Sequence, residues 1–291
     1  MSEVLKISNL SKSFGKKRVL FNFDMTLEKG KIYGLLGKNG TGKTTLIRTI
    51  MGIIRSDQGE VSYKGHKICF NSSNYKKEIG YIPEDPFFYS WMTVGNFLAF
   101  NASFHPTWDK TSAADYLDKF SLNRKERIRN LSRGMKLKLG LIAALSHKPE
   151  LLIFDDPTSG LDVPTRQTFL KDIISEFAER GTTILFASHL VHELDGIIDH
   201  LMILDKGKLV IDEKYADFRK TIKKLVIGFK KTVPGEFAIN NIIQKNISQN
   251  QAELVIYPWN PKILQKIHDR SALDIREEVL SLEEIFTCFV T

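Results

Sequence analysis

The run Gly37-Lys38-Asn39-Gly40-Thr41-Gly42-Lys43-Thr44 has the spacing G-x-x-x-x-G-K-[ST], a phosphate-binding loop. Glycines let backbone N–H groups converge on phosphate oxygens with no side chain in the way. Lys43 brings a cation to the β- and γ-phosphates of a nucleotide, and Thr44 a hydroxyl to Mg²⁺. Further along, Leu151-Leu152-Ile153-Phe154-Asp155 is an apolar run ending in a carboxylate, with Asp156 next to it. Ser188-His189 closes another apolar run. Two short polar runs complete the set: Leu131-Ser132-Arg133-Gly134-Met135-Lys136 before the acids and Ser159-Gly160-Leu161-Asp162 after them.

These groups need elements that bring them together. Lys31 to Leu36 reads as a buried strand and Thr45 to Met51 as a helix, so the helix dipole also points at the bound anion. Val4 to Phe14 and Arg18 to Leu27 alternate as strands joined by a Gly-Lys turn. Val61 to Tyr63 and Ile79 to Ile82 return to strand, while Thr93 to Phe104 and Thr111 to Phe120 have helical spacing. Gly134 to Ser146 reads as a further helix, its N-terminus usable for an anion. Strands at 151–154, 183–187, 201–204 and 209–211 then alternate with helices at 164–180 and 189–197. Such alternation predicts a parallel α/β sheet. Strands that deliver acids to a sheet end are apolar throughout, as 151–154 is.

In order and combination, these motifs resemble the nucleotide-binding subunit of ABC transporters over about residues 1–212. The resemblance implies an α/β fold: a P-loop NTPase core, an antiparallel β subdomain, an inserted helical subdomain and a small C-terminal α/β extension. It implies ATP and Mg²⁺ as cofactors. Phe14 takes the place of the aromatic that stacks on adenine, and Gly37, Asn39, Gly40, Thr41, Gly42, Lys43, Thr44 and Thr45 form the ATP cradle. Asp155 matches the acid that holds the metal with Thr44. Asp156 matches the catalytic carboxylate, His189 the switch histidine, and Ser159 to Asp162 the D-loop. Glu84 stands where a Gln usually senses the metal and the membrane partner. Ser132 and Gly134 belong to the signature motif, which presents a hydroxyl and an amide to the γ-phosphate held by a facing subunit. The implied assembly is a homodimer, or a heterodimer with a second ATPase subunit.

Three departures bear on activity. Arg133 and Met135 replace Gly and Gln of the usual L-S-G-G-Q signature, leaving Ser132 and Gly134 in place. Glu84 puts a carboxylate near the metal. Asp156 is one methylene shorter than the usual Glu. A base must reach the attacking water, and a misplacement of about 1 Å costs on the order of 10²-fold in rate. Hydrolysis is therefore expected, at a rate that hangs on whether the shorter Asp156 reaches the water.

The remaining chain sets limits. With 291 residues, 42% hydrophobic and 26% charged, it fills one large or two modest domains. No apolar stretch approaches membrane-spanning length. Met1-Ser2-Glu3 leads straight into a strand and does not resemble a signal peptide. Cys69 and Cys288 make no disulfide framework, and reduced thiols fit an intracellular reading. A net charge of +8 suits nucleotide phosphates, an anionic membrane face or nucleic acid, and equally a solvated basic surface. The residues divide into a cassette at 1–218, with a helical subdomain at about 85–148, and an accessory extension at 219–291 whose residues 260–291 read as two short helices.

Two classes of function compete: a peripheral ATPase at the cytoplasmic face of the cell membrane that powers a separate transmembrane permease, and a soluble ABC ATPase acting on ribosomes or DNA. The second class usually carries two cassettes or a long coiled coil. Neither is present here, so a permease is expected as partner and nucleic acid is not. Tyr81-Ile82-Pro83-Glu84, the Leu-Ser-Arg-Gly-Met signature and the ending Ser281-Leu282-Glu283-Glu284-Ile285-Phe286 resemble subunits of bacterial exporters for drugs, antimicrobial peptides and amphipathic cytolytic peptides. A slow, regulatory ATPase subunit of a heterodimer is the further alternative. Phe87, Phe88, Tyr89 and Trp91 read either as core of the helical subdomain or as anchors in the groove that, in this family, receives a short helix of the membrane subunit.

Overall fold

In the computed structural model, residues 2–158, 166, 181–191, 194–230, 233, 239–268 and 272–290 are described. Strands β1 (Glu3–Phe14) and β2 (Lys17–Glu28) pair antiparallel, and β4 (Gln58–Tyr63) and β5 (His66–Lys67) extend them into a sheet of order β2-β1-β4-β5. The central sheet has order β10-β9-β3-β8-β7-β6, from β3 (Ile32–Leu36), β6 (Ile79–Ile82), β7 (Leu151–Asp155), β8 (Thr183–Ser188), β9 (His200–Asp205) and β10 (Lys208–Lys214). Its pairs are parallel except β9–β10, a hairpin that closes one edge. The all-parallel sheet expected from alternation is corrected there, because the short turn through Gly207 leaves no room for a crossover.

Period two in β3 divides the molecule. Tyr33 and Leu35 face one core, which holds the antiparallel sheet and the P-loop helix α1 (Lys43–Ile50). Ile32 and Leu36 face the other, which holds α2 (Val94–Ala102), α3 (Lys110–Lys119) and α4 (Arg133–Leu145). Thr93, Asp109 and Ser132 cap these three helices, each accepting a backbone N–H through its side-chain oxygen. Helix α1 begins at Lys43 rather than Thr45, so both phosphate-motif side chains sit in its first turn.

Other expectations meet differences. Of the helix expected at 189–197, Val191 is in a 3₁₀ turn, 192–193 lie outside the described residues, and 194–197 are turns, with Gly196 at a left-handed φ of 76°. The segment 164–180 lies outside the described residues apart from Arg166, which is helical. Residues 260–291 hold two helices, α6 (Lys262–His268) and α7 (Leu282–Phe289), but also a strand between them, β14 (Ala272–Glu278). Its alternation is masked by Asp274, Arg276, Glu277 and Glu278; pairing with β11 (Lys223–Phe229) makes it a strand. With β12 (Ile242–Ile247) and β13 (Gln251–Ile256) these form a third sheet of order β12-β13-β11-β14.

The C-terminal segment has its own small core around Leu225, Ile227, Leu254 and Ile256. It also enters the cassette core. Leu282, Ile285 and Phe286 of α7 pack with Phe218 of α5 (Tyr215–Thr221) and the central-sheet residues Leu201 and Ile203. Phe218 is fully buried, with ring contacts to Tyr257 at 5.4 Å and Phe289 at 6.0 Å. Phe218→Ala is therefore expected to cost about 3–5 kcal/mol, as large buried truncations do. Urea unfolding checks this; a loss under about 1 kcal/mol would mean that the extension does not lean on this ring.

Candidate active site

The central sheet sets the site at the carboxyl ends of its strands, where α/β sheets bind ligands. Leu36 pairs with Ser188, and Asp155 with Ala187, so the ends of β3, β8 and β7 lie level. Beyond them come the glycine loop, Asp156 and His189 in turn. The loop is closely packed. A Cβ at Gly37 would meet Thr41 Oγ1 at 2.6 Å and the Leu204 carbonyl at 2.8 Å. Gly42 has φ 115°, accessible in practice to glycine alone. Thr41 ties the turn by donating to the Lys38 carbonyl at 2.9 Å. Asn39 and Gly40 are exposed at the mouth, and Thr45 is half-buried.

Lys43 is buried, and its ammonium donates to the Gly37 carbonyl at 2.7 Å and lies 3.5 Å from Asp156 Oδ2. A buried cation needs such partners, since desolvation without them is costly. Asp156 is held on every side. Its backbone N–H donates to the Ala187 carbonyl at 2.9 Å. Its Oδ1 accepts from the His189 backbone N–H at 2.9 Å and lies 2.7 Å from His189 Nδ1. Its φ of 48° is left-handed, a region that Asp tolerates better than most residues.

Thr44 donates to Asp155 Oδ1 at 3.1 Å. Burial pushes the Asp155 carboxyl up to about 6; the Asp156 and Glu84 charges act in the same direction, and the Thr44 hydroxyl and Lys43 oppose them. A hydroxyl and a carboxylate are the hard oxygen donors that Mg²⁺ takes, and a divalent cation would offset the charge of this buried acid. Thr44 and Asp155 thus fit that ion. Glu84 is exposed on the loop after β6, near enough for its charge to act on Asp155. The sequence reading missed Tyr81, whose hydroxyl lies between Asp155 and Arg48; burial pushes it up to about 12. Its place three residues before Glu84 was the available signal.

Phe14, at the end of β1, is half exposed, with the Lys12 ammonium 5.3 Å from its ring centre. A cation over one face leaves the other for a flat ligand. Ser132 and Gly134 sit at the start of α4, with Ser132 Oγ accepting the Met135 N–H at 3.2 Å. No hydrogen bond or ion pair links Ser132 to the glycine loop of the same chain among the described residues. Ser159 to Asp162 lie outside the described residues.

Known proteins share this fold and sequence pattern. Residues 20–159 match the family model described as ABC transporter. The chain is 34% identical over 226 residues to the bacitracin transport ATP-binding protein BcrA of Bacillus licheniformis, covering 77% of this chain and 74% of that one. It is 33% identical over 214 residues to the lantibiotic transport ATP-binding protein SrtF of Streptococcus pyogenes, covering 73% and 91%. Among solved structures, an ATP-binding subunit of an ABC transporter superposes with a TM-score of 0.68 at 26% identity, covering 75% of this chain and 92% of that one.

The raised Asp155 sets a pH dependence. Between about pH 4 and 6 the folded protein keeps a proton there that the unfolded chain has lost, so this site makes stability fall as pH rises through that window. Asp155→Asn should remove that slope and stabilise the nucleotide-free protein at pH 7, by on the order of 1–3 kcal/mol. Denaturation of both proteins at pH 4, 5, 6 and 7 without Mg²⁺ decides it; parallel curves would count against the raised carboxyl.

Proposed function

The chain belongs to the ABC transporter family as an ATP-binding, ATP-hydrolysing subunit, and on that premise we propose that it powers export of a peptide or drug through a separate transmembrane permease. The relatives that carry bacitracin and lantibiotic transport in their names support this cargo class. No helix among the described residues is long and apolar enough to cross a membrane. The path for cargo then belongs to the permease, and this chain lies against the cytoplasmic membrane face. Residues 1–218 act as the catalytic cassette and 219–291 as an accessory unit on the same core. The cleft beside Phe87 and Phe88 receives the membrane subunit.

The observation that carries the catalytic reading is the triangle of Lys43, Asp156 and His189. ATP stacks on Phe14, and its phosphates take the loop N–H groups and the Lys43 ammonium in place of Lys43's internal partners. Thr44 and Asp155, with Glu84 nearby, would hold Mg²⁺, which would supply neutralisation of the phosphate charge. Asp156 accepts a proton from the attacking water as its oxygen bonds to the γ-phosphorus; the bond to the β-phosphate oxygen breaks and ADP leaves. His189 holds Asp156 in place through its backbone N–H and contacts the γ-phosphate with its ring. Ser132 and Gly134 complete the site of a facing subunit, either a second copy or a different ATPase.

Asp156 is seated among partners on both carboxylate oxygens, so the site is built for its length. Asp156→Glu is expected to lower turnover by roughly tenfold or more, because the added methylene displaces the carboxylate. Lys43→Ala should remove nucleotide binding, a charge-assisted contact being lost. Asp156→Asn should bind ATP, hydrolyse it at a small fraction of the native rate and sediment as a dimer with ATP–Mg²⁺. Affinity, phosphate release and sedimentation test these together. Native hydrolysis by Asp156→Asn would remove Asp156 from its role.

A further inference from the structure

Between β6, the loop that follows it, α2 and α4 lies a cleft of about 490 Å³, within the usual range of ligand sites. Phe87, Phe88, Phe97 and Phe104 line it. Outward from it the rings continue in contact: Phe87 with Tyr89 at 5.6 Å, Tyr89 with Phe100 at 6.0 Å, and Phe100 with Phe104 at 5.0 Å. Phe87 is 83% exposed and Trp91 65%. So large an exposed aromatic surface marks an interaction site.

Charge on the cleft is one-sided. Lys76 and Lys77 line it, and neither forms an ion pair among the described residues. No carboxylate lines it among those residues. Glu78, next in the chain, is already held by Lys64 at 2.5 Å. Glu84 and Asp85 are on the adjoining loop, with their side chains outside the lining. His105 and His147 also line it, their rings stacked at 3.9 Å. His147 Nδ1 is 3.3 Å from the Ala143 carbonyl, and burial holds His147 down to about 4 and His105 below its ordinary value. At neutral pH both rings are uncharged, and the two lysines set the sign of the cleft.

Resting on the reading that this cleft receives a short helix of the membrane subunit, we propose that this helix carries acidic side chains on the flank that meets Lys76 and Lys77. An apolar ridge fits the aromatic walls, as in other helix-in-groove contacts. Two unpaired cations beside an apolar surface attract carboxylates and repel cations. Cytoplasmic loops of membrane proteins are enriched in Lys and Arg. A basic rim therefore rejects most such loops, and selection comes from repulsion as much as attraction. An anionic lipid surface would answer the charge but not the concave aromatic wall.

The probes are two labelled helical peptides with the same Leu/Phe ridge, one with two Glu on the flank and one with two Lys. Fluorescence anisotropy should give the Glu peptide about fivefold or more tighter binding at low salt, with the gap narrowing as salt screens the charges. Lys76→Glu with Lys77→Glu should reverse the preference and leave ATP affinity unchanged; Phe87→Ala should weaken both peptides. Equal binding of the two peptides, or a preference that survives the charge reversal, overturns the acidic flank while leaving the docking cleft in place. Binding of neither peptide, or equal loss of both peptides from charge reversal alongside loss of binding to phosphatidylglycerol vesicles, overturns peptide docking itself. ATP affinity and hydrolysis, read on the same samples, report separately on the catalytic reading.

Discussion

Everything at the nucleotide site depends on keeping a buried ammonium and a buried carboxylate satisfied at the end of an apolar sheet. Lys43 is buried, and its ammonium is satisfied by the Gly37 carbonyl and Asp156. Asp156 in turn needs the His189 N–H and ring. Removing any one partner leaves an uncompensated polar group in a dry place, where each costs the most. The same constraint fixes the strand ends in register, because a shift of one residue along β7 would turn Asp155 away from Thr44. The contacts proposed for catalysis and those that hold the local fold are here one set.

That coupling suits a protein whose site must change partners during a cycle. The phosphates of ATP offer Lys43 the same kind of oxygen that Gly37 and Asp156 offer it without nucleotide. Exchange between them keeps the ammonium paired with oxygen acceptors throughout. In the proposed cycle, Asp156 freed from the ammonium turns to water. A left-handed backbone at this position places the carboxylate beside both Lys43 and His189, and a short side chain suffices because the backbone itself makes the approach.

The two faces of the central sheet have separate tasks. One packs on the antiparallel sheet that carries Phe14 at the end of β1. The other carries the helices that present Ser132, the aromatic cleft and, unexpectedly, the C-terminal α7. The C-terminal segment therefore shares a hydrophobic core with the helices that border the cleft. Arg219 adds a hydrogen bond to the Leu280 carbonyl, tying α5 to the start of α7.

Much of this was legible in the residues. The glycine spacing of 37–42, the apolar run ending at Asp155 and the helical stripe of 134–146 each follow from local rules that act within a few residues. What stayed hidden depends on distant pairing. β14 is a strand because β11 lies beside it, although its own sequence is mostly charged. Residues 194–197 are turns in place of the expected helix, with Gly196 left-handed. Tyr81 reaches Asp155 only because β6 and β7 are neighbours in the sheet. The sequence alone determined which chemical groups are present and which local backbone carries them, since phosphate loops, caps and buried strands are short-range matters. Tertiary structure alone decided which of them touch: Thr44 and Asp155 are 111 residues apart in the chain, and only the order and register of the strands bring a hydroxyl to within 3.1 Å of a carboxylate.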